Sequence, residues 1–278
     1  MPSYETTGPV TATIEFDVAK VRITASTRTD AVVEVLPADG ASERDVQYAQ
    51  RTTVSYAAGR LLVKGPKNRS PFGKVGSVDV TVELPAGSEV QGTLALGDFR
   101  TEGPLGDCRL KTAAGDLLVD EAAAAVLRTA HGDVTVQLAT GDVEVNGGGR
   151  IELGRLLGAA TVKNSMGDTS VREVAGQLVA KSANGRITIG SAAGNVEAKT
   201  SNGAVRIGEV VGGQVVANTG MGEIEIGIRE RTAAWVDAST GLGTVRNALG
   251  SAEGPQDAER TVELRLRTGL GDIVINRA

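Results

Sequence analysis

One histidine and one cysteine, His131 and Cys108, are all that the chain offers for imidazole or thiol chemistry. A nucleophilic triad needs three convergent groups. His131 stands at a glycine corner beside Asp133, with no Ser or Cys nucleophile at a recognisable spacing. Cys108 falls on an inward position of an alternating strand, where a thiol serves as a small core residue. The same counts exclude a Cys/His zinc site and an intramolecular disulfide framework. The residue types predict no catalytic group, no cofactor site and no metal site, and hence no enzyme.

Two charged features remain. Asp98, Asp116, Asp133, Asp168 and Asp272 each follow a glycine. Calcium-binding solenoids use Asp near glycine corners, but within a nine-residue Gly-Gly-x-Gly-x-Asp repeat that is absent here. Like charges about 5 Å apart in water repel by under roughly 1 kcal/mol per pair, so such a row is tolerable without a cation. The stretch Lys64-Gly65-Pro66-Lys67-Asn68-Arg69-Ser70-Pro71-Phe72-Gly73-Lys74 carries four cations and no acid. It lacks the spacing of a phosphate-binding loop. Lys64, Lys67, Arg69 and Lys74 are therefore read as a solvated loop that could also contact an anionic partner.

These residues are positioned by a repeat. Glycines at 97, 115, 132, 149, 167, 185, 203, 222, 243 and 271 recur every 17 to 19 residues, with longer intervals of 21 and 28 at the end. Two residues after each glycine stand Phe99, Leu117, Val134, Ile151, Thr169, Ile187, Val205, Ile224, Val245 and Ile273, and apolar residues mostly recur two further on. Polar residues lie between, which is the period-two signature of a strand with one buried face. A second alternating strand precedes each glycine. Three residues before the glycine comes a small polar row: Thr112, Thr129, Asn146, Asn164, Ser182, Thr200, Thr219, Thr240 and Thr268. Two short strands and tight turns in about 18 residues are too little for a βαβ unit. They predict an all-β parallel β-helix, or β-solenoid, in which each strand pairs with its equivalent in the next coil.

The predicted domain division is a β-rich leading or capping segment over 1–90 and the solenoid over 91–278. Ser42 to Arg51 reads as a loop or short helix. The composition suits a narrow aliphatic core, with 37 glycines against three Phe, three Tyr and one Trp. A net charge of −5 argues against nucleic acid as the main partner. No apolar run approaches a membrane span, and no signal peptide stands at Met1, so the expected location is cytoplasmic.

Val82-Glu83-Leu84-Pro85-Ala86-Gly87, followed by repeated Gly-Asp-Val or Gly-Arg-Ile after Thr, Ser or Asn, resembles the bacterial β-strand-repeat putative-adhesin family, a family of domains of unknown function. The resemblance covers roughly residues 78 to 278 and implies a right-handed β-helix.

Candidate contact residues complete the reading. Met221, Leu242 and Leu270, each one residue before a corner glycine, would stack into a short apolar ridge, either exposed for contact or folded over the core edge. Trp235 falls on an outward position. The last coil, with Ile273 and Ile275, ends three residues after its final apolar ladder position. It would present uncovered core to a second subunit, unless the insertion Ser251 to Glu259 folds over it. The favoured expectation is a non-enzymatic structural or protein-interaction scaffold that self-associates through its C-terminal coil. The alternatives are an adhesin-like module presenting a flat β-face to a protein or polysaccharide partner, and a polysaccharide-active enzyme, which would need clustered acids such as Asp116 and Asp133.

Overall fold

The computed structural model describes residues 2–66, 75–249 and 260–278. Its contacts divide the chain into two units, Met1–Ala139 and Thr140–Ala278. Both are built from parallel strand ladders, so the fold is a β-solenoid. Among the described residues no helix is long and apolar enough to cross a membrane.

The first unit contains β1 (Ser3–Glu5), β2 (Thr11–Ser26), β3 (Asp30–Pro37), α1 (Glu43–Gln50) and β4 (Thr53–Ala57). It continues with β5 (Arg60–Lys64), β6 (Val78–Pro85), β7 (Glu89–Leu96), β8 (Phe99–Ala114), β9 (Leu117–His131) and β10 (Val134–Ala139). The stacking order is not the chain order. The first half of β2 lies between β5 and β7, and its second half between β6 and β8, all in parallel. Outside this stack, β4 runs antiparallel to β5, and β3 antiparallel to β6. These antiparallel strands close off one side of the parallel ladder. The segment 42–51 forms α1, capped by the Ser42 hydroxyl, which accepts from the Asp45 amide.

The second unit contains β11 (Val143–Gly147), β12 (Ile151–Leu156), β13 (Ala160–Met166), β14 (Thr169–Val174), β15 (Leu178–Asn184), β16 (Ile187–Ala192) and β17 (Val196–Asn202). After these come β18 (Val205–Val210), β19 (Gly213–Met221), β20 (Ile224–Ile228), β21 (Thr232–Leu242), β22 (Val245–Asn247), β23 (Arg260–Leu270) and β24 (Ile273–Arg277). One ladder runs β11-β13-β15-β17-β19-β23-β21. The other runs β12-β14-β16-β18-β20-β24-β22. Inward residues such as Val196, Ala198, Val205 and Ile207 are buried on every interior coil. Full burial of a Val or Ile side chain contributes roughly 1.5–3 kcal/mol, so cohesion comes from stacking and not from any single coil.

This order corrects the expectation of a free C-terminal coil. β24 has β20 on one side and β22 on the other, and Ile273 and Ile275 are fully buried. The chain places β21 and β22 one coil further out and returns to fill the vacant slot with β23 and β24. The outermost coil among the described residues is therefore 232–247. The insertion Ser251 to Glu259 lies outside the described residues, as do Lys67, Arg69 and Lys74.

A corner lock sets the coil spacing. Gly185 takes φ +139° and Gly203 φ +144°, a region that L side chains rarely adopt. A Cβ on Gly185 would overlap the carbonyl oxygen of Gly167, and one on Gly203 would overlap that of Gly185. These carbonyls are capped by the small polar row. Thr200 donates to the Gly185 oxygen at 3.1 Å, Thr219 to Gly203 at 2.8 Å, Thr268 to Gly222 at 2.9 Å and Thr240 to Gly271 at 2.8 Å. Thr112 and Thr129 do the same for Gly97 and Gly115.

Two members depart from the pattern. Asn146 stacks on Lys163, and Gly147 takes the position beside Asn164. The corner Gly147-Gly148-Gly149 is one residue shorter than its neighbours, which moves Asn146 to an outward position, where its amide donates to Glu144 at 3.1 Å. Asn164 bridges this corner, donating to both the Gly149 and Gly167 carbonyls. Among the described residues the buried Ser182 hydroxyl has no hydrogen-bond partner.

Gly185→Ala is expected to lose about 2–3 kcal/mol of stability in chemical denaturation, because strain and overlap add. Thr200→Val keeps the shape but removes the donor, and is expected to cost about 1–2 kcal/mol. Equal stability of both variants with the native chain would contradict the lock.

Candidate functional site

The corner acids are the first candidates, and the structure assigns them to the backbone. Asp98 accepts from the Asp116 amide at 2.9 Å, Asp116 from the Asp133 amide at 2.8 Å, Asp168 from Arg186 at 2.8 Å and Asp272 from Thr244 at 2.8 Å. Each carboxylate bridges its coil to the next one. The Thr244 amide and side chain, with Arg246 nearby, hold the Asp272 carboxyl below the usual carboxylate range. Its contribution is present above the ordinary Asp pKa and is lost as pH falls through the lowered value. At the opposite corner Asp142 and Asn195 accept from Ala159 and Gln214, both at 2.9 Å. An amide oxygen thus serves as well as a carboxylate. Among the described residues no group of three or more His, Cys, Asp or Glu is arranged to hold a metal ion.

Cys108 is fully buried, and that burial, reinforced by the Asp107 charge, pushes its thiol up to about 12. A thiol protonated at neutral pH and closed to solvent is not a nucleophile. His131 is exposed at its corner. Lys64, the described member of the basic stretch, pairs with Glu15.

The ridge exists, in a different order from the chain. The residue before each corner glycine points outward, and the register stacks Met166, Asn184, Asn202, Met221, Leu270 and Leu242 in one row. Asn202 donates to Asn184 at 2.9 Å in its middle. The last three members are 54%, 50% and 69% exposed. Met221, Leu270 and Leu242 form a contiguous apolar strip and are not folded over the core edge, while Val245, stacked on the buried Ile273, is exposed separately on the outermost coil.

A second feature lies at the other end of the same strands. Trp235 stacks beside Glu263, Glu263 beside Gln214, and the Gln214 amide nitrogen of the backbone reaches Asn195. The indole is 57% exposed. Together with Gly213, Thr261, Val262 and Arg265 these residues line an open groove of about 720 Å³. Trp235 and Leu242 are seven positions apart, so groove and ridge sit roughly 23 Å apart along β21. Sequence reasoning found Trp235 but not the groove, since only the stacking order puts Asn195, Gln214 and Glu263 in line with it.

A family model described as Toastrack DUF4097 matches residues 12–275. No curated protein matches the chain. Among solved structures, a putative adhesin from Parabacteroides merdae is 10% identical with a TM-score of 0.44, covering 100% of this chain and 95% of that one. A putative adhesin from Parabacteroides distasonis is 10% identical with a TM-score of 0.37, covering 98% and 94%. A putative lipid binding protein from Parabacteroides distasonis is 9% identical with a TM-score of 0.30, covering 100% and 95%.

Asp116→Asn is expected to leave thermal stability unchanged, while Asp116→Ala loses about 1 kcal/mol. Calcium should shift the melting temperature of neither. A calcium-dependent rise in the native chain that Asn abolishes would return the row to metal binding. Cys108 should resist a thiol reagent at pH 8 until denaturant is added; fast labelling of the folded chain would contradict its burial.

Proposed function

This chain belongs to the Toastrack DUF4097 family, and from that premise we propose that it acts as a non-enzymatic β-solenoid scaffold that binds protein through its outermost coil, a second copy of itself being the first partner to test. The observation that carries this reading is the exposed strip Met221-Leu270-Leu242. Scattered exposed apolar residues are ordinary, whereas a contiguous strip marks a contact surface. It ends on β21, an 11-residue strand paired with β23. With one strand neighbour among the described residues, β21 offers a row of backbone donors and acceptors, and an identical strand supplies a matching row of equal length. The non-enzymatic part is supported by the buried thiol and by corner acids already engaged with backbone amides.

A second reading, an adhesin-like module that presents its surface to a polysaccharide or protein, is favoured by a separate observation. Trp235 lies exposed in a groove of polar side chains, remote from the ridge.

Light scattering over a hundredfold concentration range tests the first reading. The native chain is expected to gain mass with concentration. Leu242→Glu and Leu270→Glu, both at exposed positions that leave the core intact, should return it to monomer mass. A native chain that stays monomeric throughout would overturn self-association and leave contact with a different protein as the use of the ridge.

A further inference from the structure

The groove at Trp235 has a composition that the apolar ridge does not share. Its floor is a row of outward positions from four successive coils: Asn195, Gln214, Glu263 and Trp235. The polar members are held in place by one another. Gln214 Nε2 donates to Glu263 Oε2 at 3.2 Å, Arg265 Nε donates to Glu263 Oε1 at 2.7 Å, and Asn195 Oδ1 takes the Gln214 backbone amide. Among the described residues these contacts hold the side chains without engaging the Asn195 amide nitrogen, the Gln214 carbonyl oxygen or the Thr261 hydroxyl, which are further donors and acceptors. The volume, about 720 Å³, is that of a small-ligand site, typically roughly 300–1,000 Å³.

From this arrangement we propose that the groove is a saccharide-binding site in which the indole of Trp235 stacks against the C–H face of a pyranose ring and the amide and carboxylate row hydrogen-bonds the hydroxyls of adjoining rings. The proposal rests on the reading of the chain as a binding module and names its ligand class.

The chemistry is specific in three respects. A sugar ring presents an apolar face of axial C–H groups and an equatorial rim of hydroxyls, so it needs one flat π surface and several in-plane donors and acceptors side by side. An apolar protein partner needs the reverse, and the ridge supplies that elsewhere. Amides and a paired Glu-Arg couple favour a neutral saccharide over an anionic one, since the Glu263 charge already faces the Arg265 guanidinium. The spacing also fits. Adjacent coils are about 4.8 Å apart, close to the length of one pyranose unit of about 5 Å, so a chain lying across the coils sets successive rings opposite successive side chains. One indole suffices for one stacked ring, which answers the scarcity of aromatics elsewhere in the sequence.

Trp235 is the single tryptophan of the chain, so its fluorescence reports this groove and nothing else. The test titrates the full chain with cellohexaose, chitohexaose, maltohexaose and mannohexaose, each up to about 10 mM, where even a Kd of roughly 1 mM saturates. A saturable change in emission with at least one of them is expected. Calorimetry with that sugar should show binding weakened by about tenfold or more in Trp235→Ala, largely kept in Trp235→Phe, and weakened several-fold in Gln214→Ala. Leu242→Glu should bind as the native chain does. No saturable change with any of the four, or equal affinity in Trp235→Ala, overturns the proposal. Failure with sugar alongside mass growth in light scattering rejects this ligand while leaving the scaffold reading intact.

Discussion

The fold depends on one crowded contact, the approach of a corner glycine carbonyl to the α-carbon of the glycine stacked on it, repeated along Gly97-Gly115-Gly132 and again from Gly149 to Gly271 and Gly243. There is no room for a Cβ at that point, and the stacked glycines take a positive φ that L side chains rarely adopt. The carbonyl pressed into this corner is met by a Thr hydroxyl from the stacked coil, and the neighbouring amide by an Asp oxygen. Glycine, threonine and aspartate thus recur together because each answers a demand made by the other two. The acidic row that invites a metal reading is part of this backbone account.

From the lock follows a molecule that adds coils without needing to follow chain order. The second unit uses this freedom: β23 and β24 slip between β19 and β20 on one side and β21 and β22 on the other. Leu270 consequently lies between Met221 and Leu242, which makes the ridge continuous. The same exchange brings Glu263 between Gln214 and Trp235 and so assembles the groove. Both candidate surfaces are products of one topological step.

The repeat was legible because its period is written in residue types: the glycines, the alternating Val and Ile, and the Thr row all predict strands that the structure contains. Stacking order was not legible from that pattern, since an inserted coil and an end coil satisfy the same alternation. A signal did exist. Asn247 stands where the other coils carry an inward Val, Leu or Ile, or in the first coil Thr101, and in the structure it is exposed on the outermost coil. The intervals of 21 and 28 residues mark where the chain skips a slot and returns. The displaced Asn146 was hidden for a different reason: counting back from Gly149 cannot show that three consecutive glycines shorten the corner by one residue. Trp235 was visible as an outward residue, but its neighbours belong to coils that sequence order does not place beside it.

Amide hydrogen exchange by mass spectrometry on peptides spanning 224–228, 245–249 and 270–278 tests the interleaved order most directly. The account predicts that the C-terminal peptide is protected nearly as strongly as the 224–228 strand, while 245–249 exchanges fast, because among the described residues β24 has a neighbour on each side and β22 has one. Fast exchange at 270–278 together with slow exchange at 245–249 would put the C-terminal coil at the open end and contradict the arrangement from which ridge and groove both arise.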